Sequence, residues 1–153
     1  MSVKKTDKRL IFLLATARQR LMSRLNSALA GSAGITAAQA AALFFLKDNG
    51  GCTHTELSRG LLLDNSAITG LVDRLEKRGL ARRQISERDR RAIRLEPTDA
   101  GIKAAAAALP VLGEFNAAIQ KGFTPSEIDT FARVLASIVN RFQSVPAKGG
   151  QDK

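Results

Sequence analysis

The most constraining feature of this sequence is an arginine-rich segment that directly follows an amphipathic stretch. Residues 79–101, GLARRQISERDRRAIRLEPTDAG, contain two strand-like stretches at 81–85 and 92–95, joined by a polar turn at 86–90. This succession of strand and turn residues predicts a β-hairpin. A helix followed by a basic hairpin fits duplex DNA, with the helix in the major groove and the hairpin tip at the adjacent backbone or minor groove.

The stretch before the hairpin, residues 65–78, is predicted to be a helix capped by Asp64. On a helical wheel, the apolar residues that share one side and should face the core are Ile68, Leu71, Val72 and Leu75. The opposite side carries Ser66, Thr69, Gly70, Asp73 and Lys77, flanked by Arg74 and Arg78. Small polar residues allow a helix to approach base edges closely. The alternative is an ordinary solvated face on which Asp73 pairs with Lys77.

The basic residues of the hairpin are all arginines, namely Arg82, Arg83, Arg88, Arg90, Arg91 and Arg94. A planar guanidinium suits phosphates and narrow minor grooves better than a compact ammonium does. Asp89 is expected to accept hydrogen bonds from Arg91 and so to hold its orientation. A solvated charged turn is the alternative for this segment.

The charge of the whole chain agrees with a polyanionic partner. Its 153 residues favour one domain, and its formal net charge of +10 favours nucleic acid or an acidic membrane surface. The alternative is a soluble basic protein whose charge has no specific partner. The single cysteine, Cys52, excludes an internal disulfide and fits a reducing compartment. No apolar run approaches the roughly 18 residues of a membrane span, so we expect a cytoplasmic, nucleoid-associated protein without a membrane partner.

Apolar spacing and capping motifs predict further helices on both sides of the hairpin. The N-terminal stripe consists of Leu10, Leu14, Ala17, Leu21, Leu25 and Ala28. Arginines at 18, 20 and 24 argue for a mature helix rather than a signal peptide, and Gly31 and Gly34 should end it. Capping boxes begin at Thr36, Thr53 and Thr124, and the turn residues 48–51 should end the helix that follows Thr36.

The C-terminal part of the chain reads as two more helices. Thr98 or Asp99 should cap the first, which Pro110 is expected to kink or interrupt. The apolar residues of the second have heptad spacing, which predicts that this helix packs against a partner helix. They are Ile128, Phe131, Leu135, Ile138, Phe142 and Val145.

Other chemistry finds little support in the sequence. Cys52 and His54 flank a helix start, but one cysteine and one histidine cannot build a structural zinc site. We interpret Cys52 as structural and His54 as an exposed first-turn residue. There is no phosphate-binding glycine motif and no nucleophile elbow, so neither a cofactor nor an enzymatic activity is expected. An enzyme that uses Cys52 would require thiol-dependent turnover.

Five motifs together resemble the MarR family of winged helix-turn-helix regulators. They are TELS at 55–58, SAIT at 66–69, VDRLEKRGL at 72–80, DRR at 89–91 and TDAG at 98–101. The Asp-x-Arg of the wing, Asp89 and Arg91, is the strongest single marker. The resemblance implies one mainly α domain with a small β-hairpin wing. Its DNA-binding lobe would span about 36–100, its dimerisation helices about 5–30 and 101–145, and a flexible tail 146–153.

The resemblance also implies how such a protein works. A homodimer would bind a pseudo-palindromic operator in double-stranded DNA, as a repressor that a small apolar or aromatic effector releases. The implied DNA-binding residues are Thr55, Asn65, Ser66, Ala67, Thr69, Gly70, Arg74, Arg82, Arg88, Asp89, Arg90 and Arg91. The implied dimerisation residues are Leu10, Leu14, Ala17, Leu21, Ile128, Phe131, Leu135, Ile138 and Phe142. A basic architectural or RNA-binding protein without sequence specificity is the alternative.

Three residues depart from the family pattern. Leu62 stands where the helix-turn-helix turn usually has glycine, which questions the geometry of that turn. Pro97 replaces an apolar residue before Thr98. Gly70 lies inside the recognition helix, where glycine costs about 1 kcal/mol in helix propensity.

Overall fold

The structure, a computed structural model, describes residues 9–89 and 91–143. Over these residues the chain forms six helices and three short strands. In chain order they are α1 (Leu10–Ser32), α2 (Ala37–Asp48), β1 (Cys52–Thr53), α3 (His54–Leu61), α4 (Asn65–Lys77), β2 (Ala81–Ile85), β3 (Ile93–Pro97), α5 (Asp99–Gln120) and α6 (Pro125–Arg141). The prediction of a mainly helical fold with a small β wing is confirmed.

All three predicted capping boxes begin helices. Thr36, Thr53 and Thr124 each accept the backbone N–H of the residue three positions on, whose side chain in turn accepts the threonine N–H. In the last box the backbone N–H of Thr124 donates to the Glu127 carboxylate at 2.7 Å, and this bond lowers the pKa of Glu127. These local motifs therefore decide where α2, α3 and α6 start.

The helix after the wing differs from its prediction. Thr98 is its capping residue, because its hydroxyl accepts the N–H of Gly101 at 3.1 Å. The expectation that Pro110 interrupts this helix is wrong, since α5 continues through it to Gln120. A proline removes only one backbone N–H, and the buried face on both sides of it, including Ala108 and Val111, keeps the helix packed.

The sheet has one strand more than the predicted hairpin. Its order is β1-β3-β2 and all pairings are antiparallel. Cys52 lies opposite Leu95, while Ala81 lies opposite Pro97 and Ile85 opposite Ile93. The two-residue strand β1 was missed because a strand this short has no period to read. Strand β3 also runs to Pro97, two residues beyond the predicted end, since a proline is tolerated at the end of a strand.

The chain divides into two compact units, Met1–Phe115 and Asn116–Lys153. The core of the first unit is built from α1 to α5 and all three strands, with Leu29, Leu43, Leu46, Leu57 and Ile68 completely buried. All four apolar residues predicted for the inner side of α4 are at most 2 % exposed. The helical wheel therefore predicted correctly which side of α4 is buried.

The terminal helices carry apolar side chains that their own units leave uncovered. In the first unit Leu10 and Phe12 at the start of α1 are 66 % and 67 % exposed. In the second unit none of the residues of α6 is buried, and Phe131 and Phe142 are 47 % and 81 % exposed. Val145 and the predicted tail 146–153 lie outside the described residues.

One helix of the described segments, α5, is long and apolar enough by composition to cross a membrane, and α1 with α2 would qualify only as a pair bent by 70°. The expectation that no apolar stretch reaches this length counted uninterrupted runs, whereas α5 contains Lys103 and Glu114. The buried residues of α5 are Gly101, Ala105, Ala108 and Val111.

Candidate nucleic-acid interface

Helices α3 and α4 form a helix-turn-helix around an unusual leucine. Leu62 closes α3 with φ 54° and ψ 40°, and no other non-glycine residue of the described segments has a positive φ. The turn is held by the Leu63 N–H, which donates to the Ser58 carbonyl at 3.1 Å, and by the Ser58 hydroxyl, which donates to the Leu63 carbonyl at 2.7 Å. Leucine thus adopts the left-handed conformation that glycine usually supplies, and the turn keeps its geometry.

The start of α4 presents a small, polar and exposed surface. Asp64 caps the helix by accepting the Ala67 N–H at 2.8 Å, as predicted. Asn65, Ser66, Ala67 and Thr69 of the predicted set are exposed, as are Arg74 and the more distal Asp73 and Lys77. Thr55, at the start of α3, is exposed as well. This surface has the steric character that close approach to a base edge requires.

Gly70 is not required by the packing of the protein. A Cβ built at this position would lie 3.2 Å from the Arg74 Nη1 atom, which is the far end of a flexible side chain. The space at Gly70 therefore belongs to the exposed surface of α4 rather than to the core.

A histidine that the sequence did not connect to α4 contacts this surface. The Thr69 hydroxyl donates to the Asn65 carbonyl at 2.7 Å and lies 3.3 Å from His54 Nε2. Because its hydrogen is already used, the Thr69 oxygen can only accept from a protonated Nε2 of His54. His54 lies in the first turn of α3, as predicted, but it is half-buried rather than exposed and links α3 to α4. Thr69 lies fifteen positions further along the chain, so no local motif connects the two residues.

Three of the hairpin arginines are engaged within the protein. Arg83 contacts two carboxylates of α4, with Nη2 at 3.4 Å from Asp73 and Nε at 3.1 Å from Glu76. Asp73 thus pairs with the wing, whereas the alternative had it paired with Lys77. Arg82 lies 3.4 Å from Glu96, and Arg94 donates to the Gly51 carbonyl at 2.6 Å.

Two other wing arginines, Arg88 and Arg91, are exposed, and their guanidinium groups have no partner within the described residues. Arg90, which belongs to the predicted DNA-binding set, lies outside the described residues. A pair of exposed, unengaged guanidiniums at the tip of a basic hairpin forms a surface suited to phosphate or to a narrow minor groove.

Asp89 supports the wing turn through the main chain. Its carboxylate accepts the backbone N–H of Arg91 at 3.0 Å, and its carbonyl accepts the Ala92 N–H at 2.9 Å. The Ser86 N–H donates to the Ala92 carbonyl at 2.9 Å and closes the loop. The predicted bond between Asp89 and Arg91 is therefore present, but it reaches the peptide group of Arg91 and not its guanidinium.

Cys52 sits behind this interface as a core residue. It is 2 % exposed, and burial, together with the nearby Glu56 carboxylate, raises the pKa of its thiol to about 11 despite the opposing charge of Arg94. Within residues 9–89 and 91–143 no group of three histidine, cysteine or acidic side chains could hold a metal ion. A cavity of about 490 Å³ lies against Cys52, with Phe45, Arg59, Gly60 and Arg94 among its lining residues.

Sequence comparison matches the helix-turn-helix and the first strand and turn of the wing to a known family. Residues 33–92 match the sequence model of the MarR family. Over 68 residues the chain is 38 % identical to the HTH-type transcriptional repressor MdtR of Bacillus subtilis (strain 168). That match covers 44 % of this chain and 44 % of the relative, so it spans less than half of the length of MdtR.

Solved structures extend the likeness over most of the chain. A probable transcriptional regulator from Pseudomonas aeruginosa is 31 % identical with a TM-score of 0.73, covering 88 % of this chain and 99 % of its own. A mutant of MarR from E. coli, complexed with operator DNA, is 26 % identical with a TM-score of 0.78, covering 86 % of this chain and 94 % of its own. With its winged helix-turn-helix and these relatives, the chain belongs to the MarR family of transcriptional regulators.

Proposed function

We propose that this protein is a homodimeric, sequence-specific DNA-binding repressor that a small-molecule effector releases from its operator. The observation that carries the proposal is the pairing of a small polar surface on α4 with wing arginines that have no partner within the described residues. In the proposed complex, α4 enters the major groove of the DNA and the wing reaches the neighbouring minor groove.

The proposed base and phosphate contacts divide between three elements. Thr55 at the start of α3 would bind backbone phosphate. The face of α4 would read base edges through the residues Asn65, Ser66, Ala67, Thr69, Gly70 and Arg74. The wing would contribute Arg82, Arg88, Asp89, Arg90 and Arg91. Arg82 would have to share its guanidinium with Glu96, and its side chain is 58 % exposed, which leaves it accessible.

Repression is supported by the names of two relatives. MdtR is a transcriptional repressor, and the MarR mutant was solved with operator DNA. By extension to this chain, its target would be an operator, and a bound dimer there would block transcription. The net charge of +10 favours such a polyanionic partner.

Homodimerisation is supported by the exposed apolar residues of the terminal helices. Burying a leucine, isoleucine or phenylalanine side chain is worth about 1.5–3 kcal/mol, so the uncovered residues of α1 and α6 favour association with a second copy. The proposed contact residues are Leu10, Leu14, Ala17, Leu21, Ile128, Phe131, Leu135, Ile138 and Phe142. A two-fold symmetric dimer would match a pseudo-palindromic site.

The effector is proposed to be a small apolar or aromatic molecule. The chain has no tryptophan and no tyrosine, so an effector pocket would be built mainly from leucine, phenylalanine, alanine and methionine. Such a molecule would lower DNA affinity only if it bound the DNA-incompetent conformation more tightly.

Selection of bound fragments from the source genome, followed by affinity measurement, tests the proposal. We expect a pseudo-palindromic site whose half-sites lie about one helical turn apart. Log affinity should fall with log salt at a slope of roughly −0.9 per phosphate neutralised. Matched random duplexes should bind far more weakly at moderate salt. Equal affinity for selected and random duplexes would favour the rival function of a basic architectural protein.

A further inference from the structure

Arg83 differs from Arg88 and Arg91 of the wing because its guanidinium contacts α4. It lies on β2 opposite Leu95, which is buried, so it occupies the face of the hairpin that is turned towards the core. From there its guanidinium contacts Asp73 at 3.4 Å and Glu76 at 3.1 Å. One side chain of the wing thus contacts two carboxylates of the recognition helix.

Close packing covers only part of the junction between α4 and the hairpin. A cavity of about 140 Å³ lies between α4 and the hairpin, lined by His54, Val72, Arg83, Ile93 and Leu95. Ile85 and Ile93, a cross-strand pair on the same face as Arg83, are 69 % and 55 % exposed. Apolar packing therefore holds the base of the hairpin, where Leu95 and Val72 are buried, but it does not include the outer pair Ile85 and Ile93.

The two carboxylates make sense as anchors for Arg83. Both sit on a helix proposed to face a polyanion, where unpaired negative charges would oppose binding. Asp73 and Glu76 are three positions apart and therefore lie on adjacent turns of one side of α4. A guanidinium has enough donors in a fixed plane to serve both at once.

We propose that Arg83 is a positioning residue that holds the wing at a defined distance from the recognition helix and so contributes to operator specificity without contacting DNA. The inference rests on the proposed DNA-binding function. An operator requires α4 and the tip of the wing to reach two grooves simultaneously, whereas random DNA requires only charge. Loss of the contacts of Arg83 with Asp73 and Glu76, which we call the clamp, therefore weakens specific binding more than non-specific binding.

The acidic partners provide the sharpest test, because charge and positioning predict opposite signs. Asp73→Asn and Glu76→Gln each remove a negative charge from a DNA-facing lobe, so electrostatics alone predicts tighter binding to every duplex. The clamp predicts a loss of operator affinity, and we expect about fivefold for each. Glu114→Gln on α5, an exposed residue, is the matched control and should change operator affinity by less than twofold. Tighter operator binding by both clamp variants would overturn the proposal.

The arginine itself separates positioning from direct contact. Arg83→Ala should lower operator affinity about tenfold while random-duplex affinity at the same salt stays within about twofold. Arg83→Lys should recover only part of the loss, since an ammonium cannot serve both carboxylates in one plane. The double variant Arg83→Ala with Glu76→Gln should lose no more than Arg83→Ala alone. Equal loss on operator and random DNA would instead make Arg83 a phosphate contact.

A measurement without DNA tests the clamp independently of the proposed DNA-binding function. In the free protein, Arg83→Ala should accelerate amide hydrogen exchange in β2 and β3 while exchange in the centre of α4 stays unchanged. If the parent protein shows no preference for any operator, the proposed function fails, and the exchange data still report on the clamp. Unchanged exchange in the wing of Arg83→Ala would overturn the clamp even if operator binding is specific.

Discussion

The carboxylate of Asp89 accepts a hydrogen bond from the backbone N–H of Arg91 at 3.0 Å, so an acidic residue shapes the tip of a basic wing. Its role is to fix the main chain from which the Arg91 side chain projects. The bond crosses a single residue, and it is joined by the bonds that link Ser86, Asp89 and Ala92. This arrangement leads to the first prediction.

Asp89→Ala should weaken operator binding although it removes a negative charge, because the peptide group of Arg91 loses its acceptor. Arg91→Ala should cost on the order of 1–3 kcal/mol of specific binding, as other well-placed base contacts do. The double variant should lose less than the sum of the two. Affinities are compared by titration at matched salt.

Two further variants control this prediction. Asp89→Asn retains a carbonyl acceptor and should bind at least as well as the parent. Glu87→Ala removes the same charge from the same turn, and the Glu87 side chain makes no hydrogen bond within the described residues. If Asp89→Ala binds the operator as tightly as Glu87→Ala does, the wing contacts phosphates through its charge alone and the Asp89 hydrogen bond has no role in binding.

Leu62→Gly should stabilise the protein. The left-handed conformation costs a leucine roughly 1–2 kcal/mol, and part of the gain is offset because glycine loses more backbone entropy on folding. The Leu62 side chain is 66 % exposed, so little burial is lost. We expect a net gain of about 0.5–1 kcal/mol in the free energy of unfolding, measured in urea. Leu63→Gly, whose φ is not positive, should destabilise; equal losses at both positions would contradict the strain argument.

Two glycines of α5 should respond to alanine in opposite directions. A Cβ at Gly101 would lie 2.0 Å from the Leu80 carbonyl oxygen, which is main chain and cannot move aside. Gly101→Ala should therefore destabilise by about 1–3 kcal/mol, the usual cost of overpacking. A Cβ at Gly113 meets nothing within 4 Å, so Gly113→Ala should stabilise by up to about 1 kcal/mol through helix propensity. Thermal unfolding compares the two, and similar shifts would contradict the packing at Gly101.

Replacing both Leu135 and Ile138 with aspartate should give monomeric or unfolded protein. Each side chain is half-buried on the apolar stripe of α6, and a second copy would complete its burial. Thr130→Asp with Asn140→Asp adds the same two charges away from that stripe and should leave the dimer intact. Light scattering gives the mass and circular dichroism the folded fraction. A folded dimer of the Leu135 and Ile138 variant would place the interface elsewhere.

Cys52 should resist alkylation in the folded protein. Its pKa is raised from 9.0 to about 11, so between these values the unfolded chain loses the thiol proton before the folded chain does. Its contribution to stability is therefore complete below pH 9 and is lost as the pH rises towards 11. At pH 8 iodoacetamide should modify the native protein many times more slowly than the protein in urea, as mass spectrometry would show. Rapid alkylation of the native protein would contradict a buried thiol with a raised pKa.

Features of this protein that depend on neighbouring residues in the sequence were predictable. Each capping box spans four residues, and the helical period alone placed Ile68, Leu71, Val72 and Leu75 inside. The hydrogen bond between Asp89 and Arg91 spans only two positions, so its existence was predicted, although the donor is the peptide N–H of Arg91 and not its guanidinium. Each of these features depends on residues that are close together in the chain, so the spacing visible in the sequence was enough to predict it.

Only the tertiary structure decided which distant residues meet. The sequence does not show which hairpin arginine contacts which carboxylate, but strand register sends Arg83 towards α4 and Arg82 towards Glu96. It also brings His54 to Thr69, adds β1 to the sheet and lets leucine take the turn at position 62. These contacts join residues that are far apart in the chain. Each contributes little free energy alone, so it forms only when the whole core packs and brings the two residues together.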